Sequence, residues 1–107
     1  MEEFTFLGFL SRRKGRIRKE LENAGAERTL VFFESPFRIQ STLEAAREAF
    51  GDAPACVARE LTKMHEEFIR GTVGTLLNEL AARPALKGEV TGVLAPQLMN
   101  DPETSHD

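Results

Sequence analysis

Residues able to exchange a proton near neutral pH are scarce in this sequence, and most of them sit together. Lys63, His65, Glu66 and Glu67 fall in one five-residue run, with Arg59 and Glu60 just upstream. An imidazole titrates near neutrality, and burial or a charged partner brings carboxylates and amines into range. The run therefore holds the groups that general acid–base chemistry needs. On spacing alone, a solvated and self-paired turn fits the same residues.

A second concentration of chemistry is cationic. Six of the eight residues from Arg12 to Lys19 are basic: Arg12, Arg13, Lys14, Arg16, Arg18 and Lys19. Clustered cations suit contact with RNA phosphates, while the neighbouring Glu20 and Glu22 suit a paired, solvated helix face. No aromatic residue interrupts the block, so base stacking is not expected there. A third candidate is Glu34-Ser35-Pro36, followed by Arg38. Ser-Pro opens a helix on capping grounds alone, yet a strand end leading into a helix is also where α/β folds bind ligands. Arg38 in the first helical turn would then meet a phosphate or carboxylate. Cys56 lies in an apolar run and reads as core; one Cys and two scattered His leave no metal site expected.

Elements that position these groups follow from periodicity. Phe4 to Leu10 is a nearly continuous apolar run, predicted as a strand buried on both faces. Ile17, Leu21 and Ala24 give a helical stripe ending at Gly25. Thr29 to Phe33 is a second strand. Ser35 as cap and Pro36 as first residue predict a helix with Ile39, Leu43, Ala46 and Phe50 inward, closed by Gly51-Asp52. Ala55–Leu61 and Glu67–Thr72 form a hairpin around the turn Thr62–Glu66. Leu76, Leu77 and Leu80 mark a third helix stopped by Arg83-Pro84, and Glu89–Ala95 is the last strand. The phenylalanines at 4, 6, 9, 32, 33, 50 and 68 are core candidates. The order βαβαββαβ predicts an α/β fold: a mixed five-stranded sheet with three helices, parallel neighbours at the crossovers and one antiparallel hairpin.

Composition bounds what such a domain can do. The 107 residues carry a net charge of −3 and 41% hydrophobic residues, enough for one core without staples. Residues 1–50 hold 9 Lys/Arg against 8 Asp/Glu, while 51–107 hold 5 against 9. Cations are thus local, which argues against a general nucleic-acid binder. No apolar run approaches the ~20 residues of a membrane span, and no signal peptide opens the chain. A lone cysteine suits a reducing cytoplasm.

Three stretches are more specific than periodicity: Phe6-Leu7-Gly8-Phe9-Leu10 with Ser-Arg-Arg-Lys-Gly after it, Val31-Phe32-Phe33-Glu34-Ser35-Pro36-Phe37-Arg38, and Ala58-Arg59-Glu60-Leu61-Thr62-Lys63-Met64-His65-Glu66-Glu67-Phe68. Their order and spacing resemble the C-terminal half of the small-subunit ribosomal RNA cytidine 2′-O-methyltransferases, within the tetrapyrrole (corrin/porphyrin) methylases. The similarity runs from about Phe4 to about Pro96. The family more often has Pro at the place of Ser11 and His at the place of Phe37.

The resemblance implies a two-domain enzyme that holds S-adenosylmethionine in a cleft between its domains. No Gly-rich strand–helix turn of the cofactor-binding half is present here. The expectation is therefore the second domain of that fold over residues 4–96, a flexible tail over 97–107, and a partner in the missing N-terminal domain. On the same resemblance, Lys63, His65 and Glu66 are catalytic candidates for transfer to a ribose hydroxyl. Glu34, Ser35, Pro36, Arg59 and Glu60 are cofactor-binding candidates. Arg12, Arg13, Lys14, Arg16, Arg18 and Lys19 are candidate contacts to ribosomal RNA. Alone, the chain is expected to have little or no activity. Three other readings stand beside this one: a stand-alone RNA- or partner-binding module, a methylase of a tetrapyrrole substrate, and a domain that only assembles as a homodimer.

Overall fold

In the computed structural model, which describes residues 3–13, 15–62, 64–84 and 86–100, the elements follow the predicted order. They are β1 (Phe4–Phe9), α1 (Arg16–Ala24), β2 (Thr29–Glu34), α2 (Ile39–Phe50), β3 (Pro54–Thr62), β4 (His65–Thr72), α3 (Val73–Ala81) and β5 (Val90–Leu94). A turn of 3-10 helix, Pro96–Asn100, closes the described chain. Its Gln97 side chain donates to Thr29 Oγ1 at 2.7 Å, which joins this turn to β2.

The five strands form one mixed sheet in the order β1-β2-β5-β3-β4. Only β1 and β2 are parallel neighbours; β2–β5, β5–β3 and β3–β4 are antiparallel. This corrects the expectation of one antiparallel pair, because β5 inserts between β2 and β3 and separates the second crossover. The order also explains where the helices lie. Crossovers β1-α1-β2 and β2-α2-β3 advance the same way across the sheet, while β4-α3-β5 reverses both strand direction and advance. Right-handed connections then place all three helices on one face. In accord with this, α1 packs on α2 and α2 on α3.

One core results, between the helices and one side of the sheet. Leu30 and Phe32 from β2, Val57 from β3, and Val90 and Leu94 from β5 meet Leu21, Ile39, Leu43, Val73 and Leu76 from the helices. Gly92 is opposite Phe32 in the register, and a Cβ there would overlap the Phe32 ring. The centre of the sheet thus accepts a full aromatic ring only because its neighbour has no side chain. At the start of α3, Thr72 and Thr75 form a reciprocal cap that satisfies both backbone N–H groups. Asp52 Oδ1 adds a bond from Gly74 N at 2.6 Å.

Among the described residues no helix covers the other face of the sheet, and this overturns one prediction. β1 is not buried on both faces: Phe4, Phe6 and Phe9 are 52%, 54% and 60% exposed. With Phe68 at 52%, four of the seven phenylalanines expected in the core lie outside it, and only Phe32 is fully buried. The reason is topological. A one-sided helix layer leaves alternate strand residues with nothing to pack against. Phe6 and Phe9 lean instead on Phe33, at ring-centroid distances of 5.2 and 5.4 Å. Cys56 is half-buried, in the same row as Val93 and Arg70, rather than in the core.

Two boundaries also moved. Ser35-Pro36-Phe37-Arg38 is a turn rather than the first turn of a helix, and α2 starts at Ile39 after Arg38. The hairpin turn is shorter than expected, because His65 and Glu66 already belong to β4.

Candidate functional site

β1, β2 and β3 finish, and β4 and β5 begin, at the same end of the sheet. Two recesses open there. The first, of about 300 Å³, is lined by Phe9, Arg12, Ser35, Pro36, Arg38 and the rim of Glu34. The second, of about 410 Å³, is lined by Glu60, Glu66, Phe68 and Thr91 on the open face, with Arg59 at its border. Glu89 borders both, so they form one polar edge above an apolar sheet.

Glu34 organises the first recess from below. It is 2% exposed, and both carboxylate oxygens are engaged. Oε1 accepts from Ser35 N at 2.7 Å and meets Arg38 Nη2 at 3.2 Å, while Oε2 accepts from Thr42 Oγ1 at 2.6 Å. A buried carboxylate persists only when its lone pairs are used this way. Above it, Ser35 Oγ accepts from Phe37 N and Ser35 O accepts from Arg38 N, both at 3.0 Å. The Glu-Ser-Pro motif thus builds a locked turn. Thr42, absent from the candidates, is what connects that turn to α2; its place one turn after Arg38 was the available signal.

The second recess rests on a different carboxylate. Glu67 Oε1 accepts from Arg59 Nε at 2.8 Å and Oε2 accepts from Arg83 Nη2 at 2.8 Å. The hydrogen bond from Arg59, then that from Arg83, holds the Glu67 carboxyl below its ordinary value of 4.5. Arg83 also reaches Glu79 at 3.7 Å. Sequence reading used Arg83 only as a helix stop; no local pattern relates it to a strand residue 16 positions earlier.

The proton-exchange cluster is divided by the pleat. Side chains alternate along β4, so His65 and Glu67 project to the helix side while Glu66, Phe68 and Arg70 project to the open face. His65 and Glu66 are both exposed. Lys63 lies outside the described residues. Of the cofactor candidates, Ser35 and Pro36 line the first recess, Arg59 and Glu60 the second, and Glu34 sits beneath the first.

The cationic block is divided as well. Arg12 lines the first recess, and Arg13 is exposed beside it. Arg16, Arg18 and Lys19 are exposed on α1, with Arg18 3.7 Å from Glu22. Glu20 instead accepts from Ser11 N at 3.0 Å, bracing the connection that carries Arg12. Lys14 lies outside the described residues. Among the described residues, no group of three or more His, Cys, Asp or Glu could hold a metal ion, and no helix is long and apolar enough to cross a membrane.

The sequence profile of the tetrapyrrole (corrin/porphyrin) methylases matches residues 2–77. The chain belongs to that family. The mixed sheet and three helices of this chain are consistent with a domain of that fold. Relatives sharpen the placement. A Bacillus subtilis protein named ribosomal RNA small subunit methyltransferase I is 43% identical over 89 residues, covering 82% of this chain and 30% of that protein. Its namesake from Thermotoga maritima is 43% identical over 93 residues, covering 87% and 41%. Another, from Mycobacterium tuberculosis, is 48% identical over 99 residues, covering 88% and 33%. The chain therefore spans about a third of the length of the curated relatives it matches. The matched part of this chain includes every element that forms the upper edge of the sheet up to α3.

Proposed function

We propose that this chain is one wall of the active-site cleft of an S-adenosylmethionine-dependent methyltransferase acting on small-subunit ribosomal RNA, with a cytidine ribose 2′-hydroxyl as acceptor. The observation that carries the reading is the polar upper edge built from the Glu34–Arg38 turn and the Arg59–Glu67 hairpin. These are two of the three segments that first suggested the family. S-adenosylmethionine supplies an electrophilic methyl group. A recess of about 300 Å³ open to one side suits part of such a molecule, with the rest covered by a second wall. Its polar lining matches the cofactor's polar groups: guanidinium groups of Arg12 and Arg38 suit a carboxylate, and Ser35 suits a hydroxyl or amine.

Within this reading, Glu34 is a positioning residue, because its oxygens are already committed to Ser35, Arg38 and Thr42. Pro36 fixes the turn, and Arg59 holds the hairpin through Glu67. Glu60 and Glu66 border the second recess on the open face, where the acceptor ribose would lie, and His65 begins β4 next to Glu66. Arg12 and Arg13 contact RNA phosphate at the rim, and Arg16, Arg18 and Lys19 extend that contact along α1; Lys14 joins the block by sequence. Such an enzyme works in the cytoplasm, where Cys56 stays reduced.

The test is methyl transfer from radiolabelled S-adenosylmethionine to small ribosomal subunits. The isolated 107-residue chain is expected to give no incorporation above background. Substantial transfer by this chain alone would overturn its assignment as a wall that needs a second domain.

A further inference from the structure

We propose that a third recess, on the helix side of the Ser35–Arg38 turn, binds one unpaired nucleobase of the RNA, stacked on the Phe37 ring. The inference rests on the reading of RNA as the substrate and adds a second point of contact outside the cleft. The recess, of about 190 Å³, lies between the start of α2 and the end of α3. Pro36, Phe37 and Gln40 line one side, and Leu80, Pro84 and Leu86 the other.

Three observations select a base as the occupant. First, Phe37 is 84% exposed, more than any other phenylalanine, on a turn that is held in place. Pro36 precedes it, its own N–H donates to Ser35 Oγ at 3.0 Å, and Arg38 N donates to Ser35 O at 3.0 Å. Beneath the turn, Arg38 is tied to the buried Glu34. An apolar ring held rigidly in water gains by stacking on a planar partner, and little of that gain is lost to ordering. Second, Gln40 is exposed on the same recess, and its amide has no hydrogen-bond partner among the described residues. An amide offers a donor and an acceptor side by side, the pattern that reads a base edge. Third, the charge suits a polyanion. Pro36 lines both this recess and the first, so the turn divides them, with Arg38 on the first and Phe37 on the third. Arg38 uses Nη2 on Glu34 and keeps further N–H donors for a phosphate. Among the described residues, the lining of the third recess holds no carboxylate, whereas Glu60, Glu66 and Glu89 line the second.

A strand crossing the turn gives its base to Phe37 and Gln40 and its phosphate to Arg38. The neighbouring nucleotide then lies over the first recess, where the cleft begins. The third recess thus sets the register of the RNA by holding a base near the one whose ribose reacts.

The sequence contains neither Trp nor Tyr, so Phe37→Trp puts a single indole reporter on the turn. Titration with a short unstructured RNA is expected to quench its emission, and the same strand annealed to its complement is not. Phe37→Ala should weaken binding of the unpaired strand about fivefold or more while leaving the slope of log affinity against log salt unchanged. Gln40→Leu should retain affinity for the unpaired strand and reduce by about half or more the spread in affinity among oligocytidine, oligouridine and oligoadenosine. Circular dichroism, expected unchanged at such exposed positions, keeps loss of fold apart from loss of contact. Salt-dependent binding that Phe37→Ala does not alter, with no quenching of the indole, would overturn the third recess alone and leave it to another part of a longer polypeptide. A chain that binds none of these RNAs at low salt would overturn the RNA reading together with this proposal. Equal quenching by paired and unpaired strands would overturn stacking of a single base. A spread unchanged by Gln40→Leu would overturn the role given to Gln40.

Discussion

Thr42 Oγ1 donates a 2.6 Å hydrogen bond to Glu34 Oε2, both fully within the core layer, and so joins the end of β2 to the first turn of α2. This one contact fixes the turn that forms the floor of the first recess. Thr42→Val keeps the shape but leaves a buried carboxylate oxygen without its donor, at a cost of about 1–3 kcal/mol. Thr42→Ser retains the hydroxyl and should cost less. Urea denaturation midpoints of the three proteins provide the comparison; equal midpoints for Val and wild type would remove Glu34–Thr42 from the account.

Glu67 gives stability a defined pH dependence. Its carboxyl is held below 4.5 in the folded chain by Arg59 and Arg83, so it binds a proton less readily folded than unfolded. The contribution is complete above that value and is lost as pH falls through the depressed folded value. Glu67→Gln should therefore be less stable than wild type at neutral pH. The difference between them should shrink between about pH 5 and about pH 3. Thermal melts across that range check it, and a gap independent of pH would contradict it.

RNA contact by the cationic block has a salt signature. Arg12→Ala with Arg13→Ala should reduce the slope of log affinity against log salt by about one to two for a small-subunit RNA fragment. Arg18→Ala, at a residue 3.7 Å from Glu22 on the outer side of α1, should change the slope less. Gel-shift titrations at two or more salt concentrations separate these outcomes. An unchanged slope in the double variant would take Arg12 and Arg13 out of the interface.

Much of the fold was legible in the residues, and the failures have a common cause. Element order, the parallel pairing of β1 with β2, the inward stripe of α2 and the Arg59–Glu67 hairpin all follow from local periodicity and turn length. Strand order does not, because β5 reaches its central place through contacts far apart in sequence. Without strand order, the open face stays hidden, and a Phe-rich β1 looks like a strand covered on both sides. The site was legible as segments rather than as geometry. Glu34 and Glu67 are adjacent to their motifs' other members in sequence, but their partners Thr42 and Arg83 come from neighbouring elements. Pleating separated His65 from Glu66, which spacing had put together.

The most direct test of the central claim is a segment exchange. Replacing the matched 89-residue segment of the Bacillus subtilis methyltransferase with this chain puts the proposed wall against a complete second wall. The account predicts methyl transfer from S-adenosylmethionine to small-subunit RNA by the hybrid, and its loss when Glu34→Ala is introduced. A hybrid that folds and binds S-adenosylmethionine but transfers no methyl group would contradict it.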